Sequence, residues 1–257
     1  MQLGCEGIWN ISDCKFNAPS TIHPPSAGLT EVHIDGCDII ATINLVGAGT
    51  FGYIESNKFY TLDGGAGVSI SEDANAEIKA NHFIDCVVGV DAGANTDVTV
   101  LSNDFVGCFL YGVLGNTCDR LDIIGNDVVG MGITSEGFHI IGLMTGVIKD
   151  NKIADCTSNG IFLDAMTDFV VDNNVCERNT ANGILINSGA YQILHNTLRY
   201  NGDGAITFDL NDISAVPASV ASYNVLDTYS PIAVWSGAFN TNSAGIMWAG
   251  MQPGQLP

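Results

Sequence analysis

The sequence predicts an all-β solenoid, one elongated domain in which about ten short coils stack along an axis. Three observations carry this. One slot recurs along the chain, filled by Cys14, Cys37, Asn57, Asn81, Asn103, Asn126, Asn151, Asn174, Asn196 and Asn224, at intervals from 20 residues (Cys37 to Asn57) to 28 (Asn196 to Asn224). Fixed apolar neighbours accompany it, three positions before and two after. Between these landmarks apolar and polar residues alternate, as in Ala76-Glu77-Ile78-Lys79, and no stretch sustains a helical period. A repeat of this length buries its apolar side only by stacking on its neighbours, which is the logic of a solenoid.

The elements follow in order along each unit. A first strand ends in Ile11, Ile34, Ile54, Ile78, Val100, Ile123, Ile148, Val171 or Ile193, with Ala221 the weak member. The Asn slot comes next and reads as a corner. Asn tolerates left-handed backbone and its amide can bond the coils on either side, so the column is expected to be a structural ladder. A second strand carries Phe16, Ile39, Phe59, Phe83, Phe105, Val128, Ile153, Cys176, Leu198 or Leu226 as its buried residue. A Gly corner follows (Gly67, Gly89, Gly112, Gly137, Gly160, Gly183, Gly204), then a third strand such as Ile161-Phe162-Leu163 and a loop. Three strands of a few residues at about 3.3 Å per residue, plus corners, fill the unit, and successive coils stack at about 4.8 Å.

The phrases Asn151-Lys-Ile-Ala-Asp-Cys-Thr-Ser-Asn-Gly-Ile161 and Asn174-Val-Cys-Glu-Arg-Asn-Thr-Ala-Asn-Gly-Ile184 resemble coils of the single-stranded right-handed parallel β-helix, the fold of pectate-lyase-like enzymes and phage tailspikes. The resemblance extends over 1–230. Residues 231–257, with Trp235, Phe239, Ile246, Met247, Trp248 and Met251 in a Gly/Ser/Asn background, are expected to form an irregular cap or contact segment. The scaffold hosts lyases, hydrolases, epimerases, esterases and inert stalks, so it implies little about chemistry. Signatures of its enzyme families are largely missing. Arg120, Arg178 and Arg199 lie in no lyase-like motif, only Asn95-Thr96-Asp97 of the polygalacturonase set occurs, and the Asp-Pro-His-Glu motif of alginate epimerases is lacking. His23, His33, His82, His139 and His195 share no column or partner in the sequence and read as ordinary surface histidines.

A net charge of −20 with eight basic residues excludes a phosphate-binding stripe, and so nucleic acid as a partner. Polyuronates would be repelled too unless a divalent cation bridged the two acidic surfaces, which makes Ca²⁺ the one cofactor worth considering. The eight cysteines fall in repeat slots, with Cys86, Cys108 and Cys156 sharing one, and are expected as stacked buried thiols. A Cys86–Cys108 bridge is geometrically allowed between adjacent coils. No Cys/His spacing suits zinc. No apolar run approaches a membrane span. No secretory signal precedes the first coil, and its uncapped edge suggests a piece of a longer protein or one end of an assembly.

Three outward columns could carry chemistry. Directly after the Asn slot stand Lys58, His82, Asp104, Asp127 and Lys152; Asp104 and Asp127 would project side by side about 5 Å apart, the separation of a retaining glycosidase pair. A second column holds Asp164, Asn187 and Asp209, with Asp164 and Asp209 roughly 9–10 Å apart, near the inverting range, or able to hold Ca²⁺ with Asn187. The third, two residues past each Gly, reads Ser69, Asp91, Leu114, His139, Phe162, Leu185, an outward stripe that is partly apolar and so expected to be a covered face or a sugar-stacking platform. The catalytic candidates are thus Asp104, Asp127, Asp164 and Asp209, and the substrate-binding candidates His82, His139, Phe162 and Asn187. The resulting expectation is a virion or cell-surface projection resembling a phage tailspike. It would be homotrimeric, assembled in a reducing cytoplasm, and would bind and possibly hydrolyse a surface polysaccharide. A secreted Ca²⁺-dependent polysaccharide lyase or epimerase, and a purely structural stalk, are the alternatives.

Overall fold

The computed structural model of the protein describes residues 2–3, 7–22, 29–61, 65–130, 132, 135–142, 145–202, 204–209, 220–222, 225–226 and 235–236. Every strand pairing is parallel and joins one coil to the next, giving two sheets of ten strands and one of eleven. We call them first, second and third in the order the chain meets them within a coil. In the coil that opens at Asn75, for example, Asn75–Lys79 lies in the first sheet, His82–Ile84 in the second and Val88–Ala92 in the third. This is the expected parallel β-helix. Among the described residues there is no helix, and so none long and apolar enough to cross a membrane.

The predicted registers hold residue for residue. Ile54, Ile78, Val100, Ile123, Ile148 and Val171 are successive partners, as are Phe59, Phe83, Phe105, Val128, Ile153 and Cys176. All of these side chains are fully buried. The three phenylalanines form a stack, with centroids 4.7 and 4.8 Å apart and rings within 12° of parallel. That stack explains the glycine column. A Cβ on Gly67 or Gly89 would run into Phe83 or Phe105, and one on Gly112 would sit 2.8 Å from the Gly137 carbonyl oxygen. Gly204 is the exception: it pairs with Asn182, one place out of step with Gly183.

The asparagine column is the expected ladder of amides, but the left-handed backbone is not at the Asn itself. The left-handed residue at the corner is the one before it: Ser56, Ala80, Ser102, Gly125, Asp150, Asn173 and His195 all have φ between 52° and 64°. The asparagines themselves serve through their side chains. From Asn81 to Asn196 each Oδ1 accepts from the backbone N–H and side-chain amide of the preceding coil's Asn, as Asn103 does from Asn81 at 2.9 and 3.0 Å, while Asn57 Oδ1 accepts from the Cys37 N–H at 2.9 Å. Each Nδ2 reaches a carbonyl of the coil before, as Asn103 does to Ile78 at 2.9 Å. These amides are buried and would otherwise strand backbone groups away from water. At the next corner the Cys86, Cys108 and Cys156 slot passes into a second ladder, in which Cys156 N–H donates to Asn179 Oδ1 and Asn179 N–H to Asn201 Oδ1, both at 3.1 Å. The seven described cysteines are all free, so Cys86 and Cys108 are thiols. Trp235–Ser236 pairs with Phe208–Asp209 as the last strand of the third sheet; the rest of the expected 231–257 cap lies outside the described residues.

Candidate functional site

Among the described residues, the outward face of the third sheet gathers the one cluster that combines a buried carboxylate, an imidazole and aromatic rings. Its origin is the slot just before the corner glycine, filled in successive coils by Val88, Tyr111, Glu136, Asn159 and Asn182. This slot lies where the chain turns into the third sheet. Glu136 lies there only 8% exposed. Asn159 Nδ2 donates to its Oε1 at 2.6 Å and Ser158 Oγ at 3.3 Å, both from the following coil. Its Oε2 is bonded to Nδ1 of His139, three residues along the same strand. A carboxylate bound this way fixes the ring and directs Nε2 away from it, the arrangement that prepares a histidine as a general base.

Aromatic rings frame the imidazole on both sides. His139 and Phe162 are in-register partners, stacked with centroids 4.6 Å apart and planes 17° apart. Tyr111, one coil earlier, tilts against His139 at 4.7 Å. Burial, reinforced by the Glu136 carboxylate, raises the Tyr111 phenol above its ordinary pKa, so it remains a proton donor. Leu114 and Leu185 extend the stripe, and Asp91 stands two coils before His139 in the same column. Burial raises the Asp91 carboxyl above the usual aspartate value. Beyond Leu114 and Tyr111 the surface continues into Phe109 and Leu110, both exposed.

Of the residues predicted from sequence, His139 and Phe162 meet here. Asp164 follows Phe162 on the same strand and accepts from Ser188 Oγ at 2.7 Å, while Asn187 stands in the next coil, its N–H bonded to Leu163. Asp209 ends the strand Gly204–Asp209, and only its backbone is described. Asp104 and Asp127 are in register on the second sheet, with His82 the partner of Asp104 and its Nδ1 3.6 Å from that carboxylate. Asp127 Oδ1 is buried without a hydrogen-bond partner. His82 therefore belongs with the Asp104–Asp127 column and stands apart from His139. The histidines also prove less ordinary than expected. His33, His82, His139 and His195 each pair with a carboxylate (Glu31, Asp104, Glu136 and Asp172), two of them one coil away and two on the same strand, spacings that form no sequence motif. Sequence reading missed Tyr111 and Glu136. Aligning the coils on the glycine would have put both in one slot.

Residues 52–215 match the family model described as periplasmic copper-binding protein (NosD). The chain belongs to the NosD family. Solved structures with the same fold include the periplasmic alginate epimerase AlgG, at TM-score 0.60 and 16% identity over 90% of this chain and 74% of that one. The A-module of the Azotobacter vinelandii mannuronan C-5 epimerase AlgE4 aligns at TM-score 0.51 and 13% identity, over 91% of this chain and 90% of that one. At such identities the likeness establishes the β-helix and nothing about its chemistry. No protein of curated function matches this NosD-family sequence.

Proposed function

We propose that this NosD-family chain is an extracytoplasmic polysaccharide-binding and polysaccharide-modifying β-helix, with its glycan site on the outward face of the third sheet. The observation that carries this reading is the buried Glu136–His139 pair set between Tyr111 and Phe162. Aromatic faces stack on sugar rings, and a carboxylate-oriented imidazole beside them moves a proton on the bound substrate. The polysaccharide-acting neighbours that share the fold, and the periplasmic setting given for the family and for AlgG, support the substrate class and the location. In this reading His139 is the general base and Glu136 its positioning residue. The test is a polysaccharide digestion screen, with and without Ca²⁺, that reads new reducing ends and unsaturated products together. Products from the wild type that disappear with His139→Asn support the reading; products untouched by it remove the site.

Copper, which the family description names, does not suit these residues. Copper sites draw on imidazole, thiolate and thioether ligands brought together. Among the described residues no three His, Cys, Asp or Glu side chains gather as a metal site, and the described histidines stand on separate faces.

A second reading, a tailspike-like virion or cell-surface homotrimer that hydrolyses its glycan through Asp104 and Asp127, is favoured by the seven free cysteines, which suit assembly in a reducing cytoplasm. The two aspartates face each other across one coil step of about 4.8 Å. Asp164 with Asp209 is the other pair that reading allows. A trimer in solution, with products that survive His139→Asn and vanish with Asp104→Asn, favours it.

A further inference from the structure

All eight cationic side chains of the protein avoid the third sheet. Lys15, Lys58, Lys152 and Arg199 lie on the second sheet, and Lys79, Arg120 and Lys149 on the first. Arg178 follows the second-sheet strand Val175–Glu177, its guanidinium bound to Asp155 and Glu177. The third-sheet face around His139 instead carries Asp91, Glu136 and Asp164 among Tyr111, Phe162 and uncharged residues. We infer that this face takes a glycan without negative charge, neutral or amine-bearing, and rejects uronate polymers. The inference rests on the glycan reading above and names the substrate class of that same site.

The physical reason is twofold. Binding a polyuronate brings a carboxylate with every residue of the chain, and each needs a cation where this face offers carboxylates. Epimerisation or β-elimination at a uronate also develops further charge on that carboxylate as the neighbouring proton leaves, and this charge has to be met by a cation or metal ion. The third sheet has no Lys or Arg, and among the described residues no carboxylate group is assembled to hold Ca²⁺. A neutral ring, by contrast, finds what it needs. It packs across the outward edges of Phe162, His139 and Tyr111, whose faces lie against one another, and its hydroxyl or amino protons find acceptors at Asp91 and Asp164. This separates the chain from the alginate-acting proteins that share its fold.

The test is binding by affinity electrophoresis with galactomannan, chitosan oligosaccharide, alginate and polygalacturonate, at low and high salt, with and without Ca²⁺. The proteins compared are the full chain, its Phe162→Ala variant and its Leu185→Lys variant. The expected result is binding of an uncharged or amine-bearing probe that Phe162→Ala weakens at least about tenfold, by loss of the aromatic contact and of the ring that holds His139 in place. The wild type and Phe162→Ala leave alginate unbound in every condition, and Leu185→Lys, which adds one cation to the face, binds alginate more than the wild type does at low salt. Wild-type binding of alginate or polygalacturonate that Phe162→Ala abolishes would overturn the substrate class while leaving the glycan face in place. Binding of none of the probes, or binding indifferent to Phe162→Ala, would overturn the glycan face and the inference together.

Discussion

Replacing Asn103 by Ala tests the ladder at its middle rung. Asn103 is fully buried. Its Nδ2 donates to Ile78 O at 2.9 Å, Leu101 O at 3.1 Å and Asn126 Oδ1 at 3.0 Å, and its Oδ1 accepts from the Asn81 N–H at 2.9 Å and Asn81 Nδ2 at 3.0 Å. Alanine removes all five contacts and strands the Asn81 N–H inside the coil. Nδ2 has two hydrogens for its three acceptors, so the five contacts amount to four hydrogen bonds, and at about 1 kcal/mol net for each the cost comes to about 4 kcal/mol. With a urea m-value of about 3 kcal/mol/M, the unfolding midpoint falls by about 1.3 M. The neighbouring exposed Asp104→Ala should move stability by less than about 0.5 kcal/mol and serves as the control. A loss below about 1 kcal/mol at Asn103 would refute the argument, because the amides would then be ornaments on coils held by apolar packing alone.

Three further outcomes follow from the same structure. Phe83→Ala opens the middle of the Phe59–Phe83–Phe105 stack and should cost about 3–5 kcal/mol, read by the same denaturation. Of the seven described cysteines, only the exposed Cys14 should react quickly with a thiol reagent in the native protein. Burial pushes the Cys118, Cys156 and Cys176 thiols above their ordinary pKa, so these react at the rate of unfolding. Burial pushes Glu177 up, but the guanidiniums of Arg178 and Arg199 more than offset it and leave its folded pKa below the usual Glu value; Arg178 likewise lowers Asp155. A depressed folded pKa gives stability that is present above the unfolded value of about 4 and lost as pH falls through the folded one. Arg178→Gln with Arg199→Gln should therefore lower the urea midpoint at pH 7, and wild type and variant should converge as pH falls through the depressed folded values of Glu177 and Asp155. A pH-independent gap would refute that assignment.

The fold was legible because a solenoid repeats its instructions. Ile78, Asn81 and Phe83 mean little singly, but ten coils written in one register leave few alternatives. The amide ladder was legible, but the corner's backbone was not. Nothing in the sequence distinguishes an Asn that adopts left-handed backbone from one that bonds sideways while Ser102 or Ala80 takes the strained φ. The candidate site was half legible. His139 and Phe162 stood out as a polar and an aromatic residue in one outward column, whereas Glu136 stood in none of the three columns. Its burial arises because Asn159 and Ser158, one coil away, supply the donors that let a carboxylate sit there. Contacts of that kind cross coils and become visible only once neighbouring coils are set in register.

The histidines give the most direct test of where a glycan binds. His33 stands on the first sheet, His82 on the second, His139 on the third and His195 at a corner between the first two. Nitrogen-15 imidazole spectra, assigned by single substitutions and recorded while an uncharged oligosaccharide is titrated in, read all of these surfaces at once. The account predicts that the His139 ring signals move in proportion to saturation while those of His33, His82 and His195 stay in place. Movement of His82 with His139 unchanged would shift the site to the Asp104–Asp127 column of the second sheet and contradict it.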